Sequence, residues 1–471
     1  MTALDGQAPV RAVRAALGER EGVWIVGGTV RDALLGRDVS DVDLAVSGDA
    51  EPAARAVAAA VRGPVFSMSD DFGTWRAIDR EGGWVCDVSP LQAPTLEGDL
   101  ALRDFTVNAM AVPLAGGDPV DPQGGRADLD AGVLRVLGPE AYERDPLRPL
   151  RLARLATELP LAPEPETERL TAAAAPQVTR ASAERVFAEL RRIVVAERAL
   201  HGLELAERLG LMKAVLPELH DLQGVEQSSY HHLDVHEHTR EVLREQVALE
   251  TGLEELFGEL APRVESVLAQ PLADELTRGQ ALRFGALLHD IAKPATREVR
   301  PDGRVTFMGH DSLGDEMIAA ICTRLRTSTR LREYIGALAR HHLVLGFLVH
   351  QRPLAPRTVY HYVKRTEPVA VEVTVLSCAD RRATRGRNAE EAIATHLELA
   401  RELMAAALAW REQGPPTPLL RGGALARELD IEPGPELGRL LAELEAAQYA
   451  GEVTTRDEAV AHARSVRQNR A

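Results

Sequence analysis

Val23-Trp24-Ile25-Val26-Gly27-Gly28-Thr29-Val30-Arg31-Asp32-Ala33-Leu34-Leu35-Gly36-Arg37-Asp38-Val39-Ser40-Asp41-Val42-Asp43-Leu44-Ala45-Val46 decides the fold of this chain. Val23–Val26 is a short β-branched and aromatic run, the signature of a strand. Gly27-Gly28 lets the backbone turn tightly and come close to a ligand. The segment from Arg31 reads as a helix whose first N–H groups point back at that turn, an anion site. The next strand carries Asp41 and Asp43. Residues two apart on a strand share a face, so both carboxylates project together. Two carboxylates facing a phosphate cradle predict divalent metal and phosphoryl or nucleotidyl transfer.

The flanking chain extends this unit. Residues 1–22 predict a leading helix, Pro9–Glu19, and Glu51–Arg62 an Ala-rich amphipathic helix covering a sheet. Val65–Ser67, Trp75–Ile78 and Trp84–Val88 read as further strands, and Val133–Leu137 as the last strand of the unit. Asp87 is either a third carboxylate beside Asp41 and Asp43 or an ordinary strand-end acid. Asp99-Leu-Ala-Leu-Arg-Asp-Phe-Thr-Val-Asn-Ala-Met-Ala111 supplies Arg103, a bidentate fork for triphosphate oxygens, with Asp104 and Asn108 as ribose partners. In Arg144-Asp-Pro-Leu-Arg-Pro-Leu-Arg-Leu-Ala-Arg154, the arginines Arg148, Arg151 and Arg154 recur every three residues, the spacing of neighbours on a helix. With Asp145 they offer base-edge partners, a carboxylate for an exocyclic amine and guanidinium groups for acceptors.

Taken in order, these motifs resemble the class II tRNA nucleotidyltransferases (CCA-adding enzymes) and bacterial poly(A) polymerases. Residues 99–109 closely resemble the family's Asp-Leu-x-Arg-Arg-Asp-Phe-Thr-Ile-Asn-Ala motif, with Leu102 in place of its first arginine, and its Glu-Asp-x-x-Arg motif begins at Arg144 in place of Glu. The segment 88–98 is shorter than the flexible loop expected of CCA-adding relatives, as in the CC-adding branch. Glu184, Arg185 and Glu189 resemble a neck motif that braces the base-reading helix. The resemblance implies an α+β fold: a polymerase-β-like head of mixed sheet and helices, an all-α neck, an HD-type helical domain and a helical tail. The expected divisions are 1–140, 141–215, 216–400 and 401–471.

The second half is rich in histidine. His231, His232, Asp234, His236 and His238 lie within eight residues, followed by His289-Asp290, His310-Asp311, His341-His342 and Asp380. Imidazole and carboxylate together suit a divalent ion. Their order resembles the HD phosphohydrolases. That implies His238, His289, Asp290 and Asp380 at metal positions, a second metal on His310 and one of His341 and His342, and Lys293 as a phosphate partner. Beyond Asp380 come a predicted long helix, Asn388–Gln413, a proline-rich break, and a tail in which Pro433-Gly-Pro precedes a helix.

Composition bounds the rest. The 471 residues suffice for several domains, and 45% hydrophobic with 27% charged residues is ordinary for a globular protein. Only 4% are aromatic, so Ala, Leu and Val must fill the cores. No apolar run is long enough to span a bilayer, and the N-terminus has no signal-peptide pattern. Cys86, Cys322 and Cys378 are widely spaced, which fits a reducing cytoplasm and argues against a zinc knuckle. The formal charge of -16 argues against nucleic-acid binding unless a local strip such as Arg144–Arg154 provides it.

The resemblance thus implies addition of CMP and/or AMP from CTP or ATP to the tRNA 3′ end. Asp41, Asp43 and Asp87 would be catalytic, with Mg2+ on Asp41 and Asp43. Gly27, Gly28, Arg31, Arg103, Asp104, Asn108, Asp145, Arg148, Arg151 and Arg154 would hold the nucleotide. A divalent ion in the HD domain would be Mg2+, Mn2+ or Ni2+. The expected partners are tRNA and the nucleotide, with no membrane and no protein partner. Three alternatives stay open: an HD-type phosphohydrolase whose head only binds nucleotide or RNA; a CC-adding, A-adding or poly(A) polymerase variant; and a non-catalytic RNA-binding protein.

Overall fold

The computed structural model describes residues 2–69, 73–227, 233–386 and 389–468. The chain divides into two compact units, Met1–Val215 and Leu216–Ala471.

The first unit is built on a six-stranded mixed sheet: β1 (Val23–Val26), β2 (Asp41–Val46), β3 (Val65–Ser69), β4 (Thr74–Ile78), β5 (Val85–Pro90) and β6 (Ala111–Pro113). Their spatial order is β3-β4-β5-β2-β1-β6. Only β2 and β5 run parallel; the other neighbours are antiparallel. In β2 burial alternates over Asp41–Leu44 and is continuous through Val46. Val42 and Leu44 are fully buried, together with Cys86, Val88 and Ala77 that pair with the same face of neighbouring strands. The helix Glu51–Val61 packs on β4 and β5, and its small Ala53, Ala54, Val57 and Ala58 allow close approach. It begins with Pro52 in its first turn and ends at Arg62 in the left-handed region. The helix Ala8–Leu17 lies against it.

One strand expectation is corrected. Val133–Leu137 is not the last strand of this sheet: Val133–Leu134 forms a separate parallel ladder with Ala162–Pro163. The place beside β1 is taken by β6, Ala111–Pro113. The chain reverses at the short turn Thr106–Asn108, which directs Ala111 and Val112 back along β1.

The remainder of the unit is mainly helical. Arg148–Glu158 packs against Ala183–Val195 and Ala199–Arg208.

The second unit is almost entirely helical. Val235–Phe257 packs against Arg278–Leu288 and Ala370–Ala383, and the latter against Ala389–Gln413. A reciprocal cap between Thr277 and Gln280 fixes the start of Arg278–Leu288, which sets where the next residues, His289 and Asp290, emerge. The last three helices, Gly422–Leu429, Pro435–Tyr449 and Arg456–Gln468, share an apolar core of their own that includes Leu425, Leu440, Leu444 and Ala447. Among the described residues, no helix is long and apolar enough to cross a membrane. The three cysteines are buried and unbridged.

Candidate active site

The glycine turn after β1 is as tight as its sequence demands. Gly27 has φ +65°, and a side chain there would meet Arg103 Nη1 at 3.0 Å and Asp43 Oδ2 at 3.6 Å. A Cβ on Gly28 would meet Arg31 Nη2 at 3.5 Å and Asp43 Oδ2 at 3.6 Å. The space that two absent side chains leave is therefore ringed by two guanidinium groups and one carboxylate. Thr29 ties the turn to β2: its hydroxyl donates to the Asp41 carbonyl at 3.1 Å and accepts from the Asp43 N–H at 2.7 Å.

The parallel register places Asp43 directly beside Asp87. Asp41, two residues earlier on β2, lies on the same face. Asp87 therefore joins the cluster. It also receives a bidentate fork from Arg76, with Nε to Oδ1 and Nη2 to Oδ2 both at 2.7 Å. Burial pushes the Asp43 carboxyl up to about 6; Arg103 pulls it down, while Asp87 and Asp41 push it further up. An oxygen-rich cluster whose central member resists ionisation fits hard divalent cations. Thr29 sits inside the opening motif without a role assigned to it, and Arg76 belongs to no motif. Only the strand register reveals Arg76.

Behind the turn runs a chain of polar contacts. Arg31 Nη1 donates to Asn108 Oδ1 at 2.6 Å, and Asn108 Nδ2 donates to Asp104 Oδ1 at 2.9 Å. Arg151 donates to Asp104 Oδ2 at 3.1 Å and pairs with Glu189 at 3.5 Å. Burial raises the Asp104 carboxyl, but Arg151, Asn108 and Arg148 outweigh it and hold it at about 2. Arg103 is held by the buried Asp99 at 3.0 Å. Asp104 and Asn108 thus sit inside the protein and orient Arg31 and Arg151.

The base-reading candidates divide into two groups. Asp145 and Arg148 stand together at the start of the helix Arg148–Glu158. Asp145 is gripped by Arg185 at 2.7 Å, and Arg148 donates to the carbonyls of Leu102 and Arg103. Arg154 is not brought to this end. Its buried guanidinium is shared between Glu189 at 2.5 Å and Glu158 at 2.7 Å. Within the strip Arg144–Arg154, Arg151 and Arg154 are therefore neutralised from within, while Arg144 and Arg148 are held by backbone carbonyls.

A second cluster lies in the second unit. His238 Nε2 is 3.1 Å from Asp380 Oδ1, and His289 Nε2 is 3.1 Å from Asp290 Oδ2. On the other side of the same carboxylate, His310 Nε2 lies 3.3 Å and His342 Nε2 3.7 Å from Asp290 Oδ1. Three of these rings are held the same way. His289, His310 and His342 turn Nδ1 to the carbonyls of Ala286, Phe307 and Ala339, at 2.9, 2.7 and 2.6 Å. Donating from Nδ1 leaves Nε2 with its lone pair aimed inward, the tautomer a metal requires. Burial pulls the His342 imidazole down to about 4, which keeps it neutral. Two groups, His238-His289-Asp290 and Asp290-His310-His342, are each compact enough to hold an ion. The donor set fits a pair of divalent cations sharing Asp290.

Of the adjacent histidines, His342 points into the cluster and is buried. Lys293 pairs with Asp290 at 2.7 Å and donates to Gln227 at 2.7 Å. Asp234 caps the helix that carries His238, accepting from the Glu237 N–H at 2.8 Å. His231 and His232 lie outside the described residues. The cluster floors a cleft of about 830 Å³ with Phe307, Met308 and Phe347 along its wall.

Known proteins resemble this chain over both units. A family model described as a poly A polymerase head domain matches residues 23–93 and 74–135. One described as a probable RNA and SrmB-binding site of polymerase A matches 161–223, and the HD domain matches 237–385. The chain is 37% identical to an A-adding tRNA nucleotidyltransferase of Deinococcus radiodurans, over 93% of this chain and 94% of that one. It is 33% identical to a CC-adding tRNA nucleotidyltransferase of Thermus thermophilus, over 92% and 91%. The fold is shared with a Thermotoga maritima CCA-adding enzyme complexed with tRNA, with a TM-score of 0.61 at 21% identity, over 99% of this chain and 98% of that one.

Proposed function

The chain belongs to the tRNA nucleotidyltransferase family, and on that premise we propose that it adds CMP and/or AMP, from CTP or ATP, to the 3′ end of tRNA in the cytoplasm. The observation that carries this is the register of β2 and β5, which sets Asp87 beside Asp43, itself against the Gly27-Gly28 turn.

Arg31 and Arg103 border the space above the turn and offset the charge of a triphosphate there. Asp99 and Asn108 fix those two guanidiniums, so they need no reorganisation when the nucleotide arrives. Asp145 and Arg148 would read the base at the start of the helix Arg148–Glu158, with Arg185 orienting the first and the carbonyls of Leu102 and Arg103 fixing the second. Asp41, Asp43 and Asp87 are the residues that would hold Mg2+. Bound there, it would lower the pKa of the RNA hydroxyl and offset charge at the α-phosphate. Arg154 and Glu189 brace the base-reading helix from behind.

The test is a set of tRNAs ending before, within and after CCA, each incubated with labelled CTP or ATP alone. Incorporation onto at least one primer, abolished by Asp41→Ala with Asp43→Ala, is expected. Failure of all primers with both nucleotides would sink the reading.

A second activity is favoured by the inward Nε2 atoms around Asp290. We infer that the second unit hydrolyses a phosphoester with a divalent ion, Mg2+, Mn2+ or Ni2+, on His238, His289, Asp290, His310, His342 and Asp380.

A further inference from the structure

The row that carries Asp43 and Asp87 continues across the sheet. Asp87 pairs with Arg76 on β4, and Arg76 pairs with Phe66 on β3. Directly paired residues project to the same side, so Asp43, Asp87, Arg76 and Phe66 stand in one line on one face. The opposite face is the one against the helix Glu51–Val61. On this face Phe66 is 42% exposed. An edge strand ordinarily blunts itself with charge; here it shows water an aromatic ring in line with the carboxylates. Arg76 spends Nε and Nη2 on Asp87, and its Nη1 makes no hydrogen bond among the described residues.

The chemistry determines which side this is. Gly27, Gly28, Arg31 and Arg103, the triphosphate cradle, lie at the β1 side of the carboxylates. In phosphoryl transfer the attacking and leaving oxygens are in line. Pyrophosphate therefore leaves toward β1, and the RNA hydroxyl enters from the β5-β4-β3 side. Three strand spacings of about 4.8 Å put Phe66 roughly 14 Å from Asp43, alongside the last nucleotides of an entering strand. Single-stranded RNA is held by stacking bases on aromatic rings and pairing phosphates with arginine.

We propose that Phe66 and Arg76 form the primer subsite, with a base near the RNA 3′ end stacked on Phe66 and its phosphate bound to Arg76 Nη1. The proposal rests on the nucleotidyl-transfer reading above.

The experiment measures incorporation kinetics with Phe66→Ala, Phe66→Leu and Phe66→Trp. It uses intact tRNA and tRNAs carrying one abasic nucleotide at each of the last three positions. Phe66→Ala and Phe66→Leu should raise KM for tRNA about tenfold, leaving KM for the nucleotide and kcat at saturating tRNA within about twofold, while Phe66→Trp retains wild-type values. Leu keeps the apolar surface without the π face, so a merely structural role would make it behave like wild type. One abasic position should cause a similar loss in the wild type and no further loss in Phe66→Ala, because the same contact is already gone. An unchanged KM for tRNA in Phe66→Ala, or losses that multiply at every abasic position, would overturn the subsite. A wild-type protein that incorporates nothing would instead overturn the parent reading.

Discussion

Asp43 is the residue at which folding and catalysis oppose one another. Burial lifts its carboxyl from 3.8 to about 6, so the folded state binds that proton more tightly than the unfolded chain does. The sign follows from linkage: the metal-free fold loses stability as pH rises from about 4 through 6, and the penalty is complete above that range. The full shift corresponds to ~3 kcal/mol, and the carboxylate's partial access to solvent reduces this to about 2 kcal/mol. Asp43→Asn should therefore be more stable than wild type by about that amount at pH 8 in EDTA, and no more stable at pH 4. Urea denaturation at the two pH values measures it. Equal stability at pH 8, or a gain that persists at pH 4, would show that Asp43 is not held in this strained state. Saturating Mg2+ should narrow the gap by stabilising only the wild type, and the variant should incorporate no nucleotide.

At the scale of elements, two helices act as one support. Arg151 and Arg154 on the helix Arg148–Glu158 share Glu189 from Ala183–Val195, and Glu158 also takes Arg192 from the same partner helix. Removing Glu189 leaves a buried guanidinium short of charge. Loss of one partner of a buried pair costs about 3–5 kcal/mol; Glu158 remains to take part of the Arg154 charge, so Glu189→Ala should cost about 2 kcal/mol by chemical denaturation. Since Arg151 also holds Asp104, KM for the nucleotide should rise several-fold while kcat changes less. A variant with wild-type stability would refute the brace.

What the sequence disclosed follows the same scale. The strand-turn-helix-strand head was legible because glycine freedom, β-branched runs and two-residue alternation are local properties. So was the order of the histidine motifs. Spacing on the helix Arg148–Glu158 says that three arginines are neighbours, but Asp104 and Glu189, which pair with Arg151 and Arg154, come from other segments, so spacing alone does not show that these two are neutralised inside the protein. Arg76 was missed for a related reason: nothing within Thr74–Ile78 marks it, and only pairing with Asp87 gives it meaning. Val133–Leu134 was strand-like enough to predict, yet composition does not say which ladder a strand joins.

For the whole molecule, the decisive feature is that each unit carries its own charged site. The first gathers Asp41, Asp43 and Asp87; the second gathers Asp290, Asp380 and four histidines. The ligand chemistries differ, oxygen alone in one and imidazole with carboxylate in the other, so the two should differ in metal preference. Asp290 touches every inward imidazole of its cluster through one oxygen or the other. Asp290→Asn keeps its shape, removes its charge and leaves the head residues untouched. It should abolish release of phosphate from a simple phosphomonoester or diester in Mg2+, Mn2+ or Ni2+, and should weaken Mn2+ binding measured calorimetrically. Nucleotide incorporation onto tRNA should persist. Asp41→Ala with Asp43→Ala should give the converse, with no incorporation and intact phosphate release. If both activities fall in both variants while the folds persist, the two centres are not independent. If phosphate release survives Asp290→Asn, the histidine cluster is not its source.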